Sequence, residues 1–123
     1  MRKKKLVYLV AAICWFALTA FLLTIPGNDL PKEDFLDKIG FDKLVHILLF
    51  APLVISWGLA LASPASRKKT LVILTIVWIL YGIAMEFVQR YLVVNRSFDI
   101  GDIFADAAGC IVGYWLGMRY IKK

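Results

Sequence analysis

The amino-acid sequence predicts an all-α membrane protein, a bundle of four transmembrane helices with the N and C termini cytoplasmic. Three observations carry this prediction. Hydrophobic residues make up 61% of the chain, against roughly 45–50% in a soluble domain. Four predominantly apolar stretches have spanning length, and the basic residues are segregated to alternate ends of those stretches. A mean hydropathy of +0.74 agrees with the first observation. Stretches such as "LVYLVAAICWFALTAFLLTI" lack the polar–apolar alternation of a transmembrane barrel strand, so helices are the remaining way to satisfy the backbone in lipid.

The four stretches are Leu6–Ile25, Leu44–Ser63, Leu71–Tyr91 and Ile103–Tyr120. Each is near the ~20 residues needed to cross a hydrocarbon core of about 30 Å. The basic start "MRKKK" ahead of the first stretch resembles the beginning of a secretory signal. That stretch outruns an h-region of roughly 7–15 residues, and "ALTA" is followed by more apolar residues, so an uncleaved helix is the expectation. "IPGNDLPKEDFLDKIGFDK" ends the first helix at Pro26-Gly27 and is expected to hold one helical turn around Phe35–Ile39. Pro52 should bend the second helix, and Ser63-Pro64 should stop it. Asp99 to Asp102 read as the cap and acidic first turn of the fourth helix. Cys14 and Cys110 both fall within spans and read as reduced packing residues with no metal-site spacing. The whole chain, residues 1–123, reads as one membrane domain.

Charge sets the orientation. "MRKKK", "SPASRKKT" and "MRYIKK" hold ten of the 15 Lys and Arg and no acid, while the other two connections and their flanks hold all 9 Asp and Glu. By the positive-inside rule the basic ends and the middle loop are cytoplasmic, and the segments Pro26–Lys43 and Leu92–Asp102 are outside. The isoelectric point near 9.5 therefore reports topology and contact with anionic lipid headgroups, and no nucleic-acid partner is expected.

The polar residues then converge. Asp42, Lys43 and His46 fall in the first turns of the second helix, Glu86 and Gln89 in the last turns of the third, and Asp102 and Asp106 at the start of the fourth. Residues three or four apart share a helix face, so Asp42 with His46, Gly82 with Glu86 and Gln89, and Asp102 with Asp106 form stripes that can face inward. An ionised carboxylate one turn deep would be costly against lipid, so Glu86 and Asp106 should face the bundle. Gly109, Gly113 and Gly117 continue the fourth helix's stripe, a small-residue spacing that lets another helix approach, in this chain or in a second copy of it.

"DKLVHILLF" at Asp42–Phe50, "EFVQ" at Glu86–Gln89 and "RSFDIGDIFADAAGCIVG" at Arg96–Gly113, in that order on successive helices, resemble the VanZ-like family of small bacterial membrane proteins. The resemblance covers all but the first helix. It implies a multi-pass protein of the bacterial cytoplasmic membrane, in a family whose namesake is associated with low-level resistance to teicoplanin, a lipoglycopeptide antibiotic. The matching positions are Asp42, Lys43, His46, Glu86, Gln89, Arg96, Asp99, Asp102 and Asp106. Many relatives carry Asn where this chain has Asp106, which weakens any mechanism that needs a carboxylate there. The resemblance names no cofactor or metal.

Three functional readings stay open at this point. As an enzyme, Glu86, His46 and Asp102 would supply acid–base groups or hold a hard cation, while Lys43 and Arg96 grip the phosphate of a lipid-linked substrate. As a binding protein, Asp42, Lys43, Gln89, Arg96, Asp99 and Asp106 would recognise a membrane lipid headgroup, an envelope precursor or a lipoglycopeptide without turnover. As a structural element, the charges would satisfy one another and clamp the helix ends. Ion conduction is not expected, because the inner halves, with "WILYG" and "YWLGM", contain nothing ionisable.

Overall fold

The computed structural model describes residues 2–25, 41–94 and 99–121, with side chains of the first two stretches described from Lys3 and Lys43 onward. The helical turn expected at Phe35–Ile39 lies outside these residues, as do Arg96 and Ser97 and the side chain of Asp42. Four helices account for the described chain: α1 (Arg2–Leu23), α2 (Phe41–Leu61), α3 (Arg67–Leu92) and α4 (Ile100–Tyr120). Three of them, over Lys3–Leu23, Lys43–Leu61 and Arg67–Leu92, are long and apolar enough to cross a membrane. The fourth has the length, 21 residues, but holds Asp102, Asp106, Arg119 and four glycines, and falls short on composition.

α1 and α3 begin several residues earlier than the apolar stretches, because Lys and Arg propagate a helix well and their heads reach water past its end. α2 runs through Pro52 and ends at Leu61, ahead of Ser63-Pro64. At α4, the Asp99 side chain accepts from the Gly101 N–H, and Asp102 supplies the acidic first turn, as the sequence leads one to expect. Cys110 is buried in the core; Cys14 is exposed on α1, so the packing role holds for Cys110 alone.

Contacts at the two ends fix an alternating arrangement. At one end Lys5 Nζ donates to the Ala62 carbonyl at 2.8 Å, and Arg67 donates to the Met118 and Ile121 carbonyls at 2.8 and 3.1 Å. These cations satisfy carbonyls that the C-terminal ends of α2 and α4 leave open. At the other end Gln89 Nε2 donates to the Leu23 carbonyl at 2.8 Å, and Lys43 of α2 meets the first turn of α4.

α2 is the hub, packed against all three other helices. The core gathers Leu49, Phe50, Leu53 and Val54 from α2, Leu71, Leu74 and Trp78 from α3 and Cys110 from α4. Against lipid there is little hydrophobic force between helices, so close van der Waals contact must hold them. Gly109 and Gly113 supply it: a Cβ at either would lie 2.8 Å from the Ile47 carbonyl oxygen or 2.6 Å from that of Ala51. A second tie joins α1 to α2, where Trp15 Nε1 donates to the Leu49 carbonyl at 2.8 Å. Thr19, fully buried, hydrogen-bonds Tyr81 at 3.3 Å across α1 and α3.

Candidate functional site

Helical periodicity places Lys43 and His46 on one face of α2, Gly82, Glu86 and Gln89 on one face of α3, and Asp102 and Asp106 on one face of α4. All but Lys43 are buried, and the three faces meet at the end of the bundle opposite the basic residues.

Lys43 is the outermost member. Its Nζ donates to Asp99 Oδ2 at 2.6 Å and to Asp102 Oδ1 at 2.7 Å, bridging the cap and first turn of α4 to α2. The absence of a side chain at Gly101 lets the lysine stem pass, since a Cβ there would lie 2.8 Å from Lys43 Cε. The Lys43 hydrogen bond holds the Asp99 carboxyl below its ordinary value, aided by the Gly101 backbone N–H and opposed by partial burial. Glu86, 1% exposed, accepts the Asp99 backbone N–H on Oε2 at 3.0 Å and lies beside the Asp102 carboxyl. Asp99 is thus held through its carboxylate by α2 and through its backbone by α3.

One turn deeper, His46 Nδ1 donates to Asp106 Oδ1 at 2.6 Å, both side chains almost fully buried. A carboxylate acceptor puts the proton on Nδ1 and turns Nε2 toward Asp102 Oδ2, 3.6 Å away. Asp106 reaches this position through a notch in α3: a Cβ on Gly82 would lie 2.8 Å from Asp106 Oδ2 and 2.9 Å from its Cβ. Gln89, also 1% exposed, turns its amide to the last carbonyl of α1. Its placement joins α1 to the site and spends one of its donors there.

Of the residues singled out from the sequence, Lys43, His46, Glu86, Asp99, Asp102 and Asp106 come together in one network, with Gln89 at its edge. The side chain of Asp42 and the whole of Arg96 lie outside the described residues. Gly109, Gly113 and Gly117 are buried within the chain, against α2, Leu71 and Ile121. Among the described residues no group of three or more His, Cys, Asp and Glu is arranged to hold a metal ion. The network sets three carboxylates, Asp99, Asp102 and Asp106, around Lys43 and His46, with Asp102 bonded to Lys43 and 3.6 Å from His46 Nε2, an arrangement suited to orienting a proton-carrying ring or gripping a polar headgroup.

Two roles escaped the sequence reading. Lys5 and Arg67 counted there only as topology signals, yet they close the carbonyl ends of α2 and α4. A signal for this existed, since each sits in the first turn of its helix and opposite a helix end in an antiparallel bundle.

Comparison with known proteins agrees with this geometry. Over its full length the chain is 28% identical to an uncharacterized protein of Schizosaccharomyces pombe, an alignment that takes in 68% of that relative. No solved structure matches the chain. The model of the VanZ/LLP1 family matches residues 8–121, a span that holds every polar residue of the network. With the family's residues meeting at one end of its helices, the chain belongs to the VanZ/LLP1 family of membrane proteins.

Proposed function

We propose that the protein is a four-span integral protein of a bacterial cytoplasmic membrane, with both termini inside, whose polar site recognises a lipid headgroup or a lipid-linked envelope precursor at the outer surface. The observation that carries this reading is the convergence of Lys43, His46, Glu86, Asp99, Asp102 and Asp106 at one end, while the basic residues collect at the other. Positive-inside orientation then turns the network outward. α4 is assigned as the fourth span because its acids and glycines face α2 and α3, leaving Phe104, Ile111, Val112 and Trp115 exposed to lipid. We assign the glycine stripe to packing inside the chain; an oligomer through Gly109, Gly113 and Gly117 would have to displace α2 and the Leu71 side chain of α3.

A ligand at headgroup level would meet Lys43 and, from the preceding loop, Arg96 as anion contacts, with the acids orienting them. Family membership makes teicoplanin a test ligand, because its acyl chain brings it to the bilayer surface. Apolar anchoring of about 0.8 kcal/mol per buried CH₂ is enough for it to differ from vancomycin there. The expected outcome is raised tolerance to teicoplanin, more than to vancomycin, in cells producing the protein, and reduced protection from Arg96→Ala at matched membrane levels. Equal protection by both forms, or none from either, removes the antibiotic reading.

A second reading is favoured by one contact, the 2.6 Å hydrogen bond that orients His46 against Asp106. It makes the protein an enzyme acting on a phosphate-bearing lipid-linked substrate, with the His46 Nε2 lone pair taking a proton from an attacking hydroxyl group. In that case His46→Gln abolishes turnover of substrate while leaving binding in place. Loss of the protein from the membrane in both Arg96→Ala and His46→Gln would instead make the network an assembly clamp.

A further inference from the structure

Within the polar network, hydrogen-bond acceptors of His46, Asp102 and Glu86 lie side by side, with no donor between them among the described residues. His46 keeps its proton on Nδ1, bonded to Asp106, so Nε2 presents a lone pair. That lone pair faces Asp102 Oδ2, itself an acceptor, at 3.6 Å, a separation too long for a hydrogen bond. The other Asp102 oxygen, Oδ1, is taken by Lys43, which also donates to Asp99. The Glu86 carboxyl lies beside Asp102 and receives the Asp99 backbone N–H on Oε2. His46 is 6% exposed and Glu86 1%, which leaves little room for bulk water to satisfy these atoms. Two adjacent carboxylates with a lone pair aimed at one of them repel unless a donor enters.

We infer that the ligand of this network presents a primary ammonium group to His46 Nε2, Asp102 Oδ2 and the Glu86 carboxyl. The inference rests on the reading that the network binds a lipid headgroup, and it names the part of the headgroup that is gripped. A primary ammonium carries three donors and no acceptor, one donor for each of these groups. Phosphate would bring only acceptors and more negative charge to the same place. A proton shared by Asp102 and Glu86 would leave the His46 lone pair unmet, and a quaternary ammonium has the charge but no N–H to give. An ethanolamine-type phospholipid fits, because its amine sits on a short arm from its phosphate. The amine then passes inward, while the phosphate stays at the level of Lys43, the outermost member, whose side chain is 33% exposed.

The test is equilibrium binding of tail-labelled lipids to the full-length chain in phosphatidylcholine nanodiscs, comparing phosphatidylethanolamine, its N,N-dimethyl form, phosphatidylcholine and phosphatidylglycerol. The ethanolamine lipid should bind at least about tenfold more tightly than phosphatidylcholine, the effect of one charge-assisted hydrogen bond, with the dimethyl form between them. Glu86→Gln replaces an acceptor by an amide that can donate to Asp102, and it should remove this preference with helical content unchanged. The lipid series is read on the unaltered protein, so it decides the matter even if that variant fails to fold. Nitrogen NMR of the ring of His46, the chain's one histidine, should show a bare Nε2 before lipid is added; protons on both ring nitrogens would overturn the inference. Binding of no lipid above its share of the nanodisc would overturn the headgroup reading and this inference with it. Equal binding of the ethanolamine, dimethyl and choline forms, or preference for phosphatidylglycerol, would leave headgroup recognition standing and overturn the ammonium assignment alone. Full displacement of the lipid by millimolar free ethanolamine would overturn its lipid source.

Discussion

Gly82→Ala should dismantle the deep half of the polar network through a single methyl group. The added Cβ would lie 2.8 Å from Asp106 Oδ2 and 2.9 Å from Asp106 Cβ, where ordinary contact begins at 3.4 Å. The oxygen can rotate away, but the Cβ is fixed to the α4 backbone, so α3 and α4 must part by about half an ångström or the Asp106 side chain must turn out. Turning the side chain out breaks the 2.6 Å hydrogen bond that Asp106 makes to His46, and moving α4 strains it. Overpacking costs about 1–3 kcal/mol, and a lost hydrogen bond to a charged group about 1.5–3 kcal/mol. Alanine returns about 0.5–1 kcal/mol of helix propensity, which leaves a net destabilisation of about 2–4 kcal/mol in this partly relaxed setting. The assay is reversible denaturant unfolding of the purified protein in detergent micelles, run on Gly82→Ala, Asp106→Ala and the double variant. Because the methyl and the carboxyl compete for one space, the double variant should be less destabilised than the sum of the singles, with a coupling of 1 kcal/mol or more. A Gly82→Ala protein as stable as the wild type, or strict additivity, would show that the notch in α3 does not position Asp106.

Other outcomes follow from the same contacts. Gly113→Ala drives a Cβ to 2.6 Å from the Ala51 carbonyl oxygen and should lower stability by about 1–3 kcal/mol, whereas Gly58→Ala meets the movable tip of Leu71 at 2.7 Å and should cost less than half as much in the same unfolding assay. Labelling from outside the cell should reach a cysteine placed at Asn28 or Asn95 and should miss one at Ser66, in a chain with Cys14 and Cys110 replaced; an externally labelled Ser66 position would reverse the orientation. Asp99 has a carboxyl held below its ordinary value of 3.8 by Lys43, so its contribution is fully present above that value and is lost as pH falls through the lowered one. Because the Asp99 side chain is 45% exposed, added salt should weaken the contribution too. Protection of the Gly101 amide from hydrogen exchange, relative to its intrinsic rate, should therefore fall on acidification below pH 3.8, because Asp99 caps that amide at 2.8 Å, and Lys43→Gln should move the fall to higher pH.

Much of this was legible in the sequence because lipid imposes simple rules. Apolar length located the four helices, and the cost of a carboxylate in lipid by itself turned Glu86 and Asp106 inward. The i, i+4 spacing of Asp102 and Asp106, and the run Gly82, Glu86, Gln89, identified the faces that meet. Pairing within the site was not legible. By sequence, Lys43 pairs with Asp42 or Glu86 and Asp99 with Arg96; the structure instead puts Lys43 on Asp99 and Asp102, which depends on how far α4 is drawn toward α2 by Gly109 and Gly113. Gln89 reads as a ligand-facing amide until the end of α1 is placed beside it. α4 itself is ambiguous by hydropathy because its polar and small residues, the ones that make the site and the close packing, are those that lower its apolar score.

The central claim is that the buried acids serve a ligand and do more than hold the helices together, and Glu86→Gln separates the two. Glutamine keeps the shape of the side chain and a carbonyl oxygen that can still accept the Asp99 N–H now bonded to Glu86 at 3.0 Å, but it removes the charge. The measurement is teicoplanin susceptibility of cells producing wild type or Glu86→Gln at matched membrane levels. The account predicts that the variant reaches the membrane as the wild type does and confers none of its protection. Full protection by Glu86→Gln, or protection that falls only in proportion to lost protein, would contradict it.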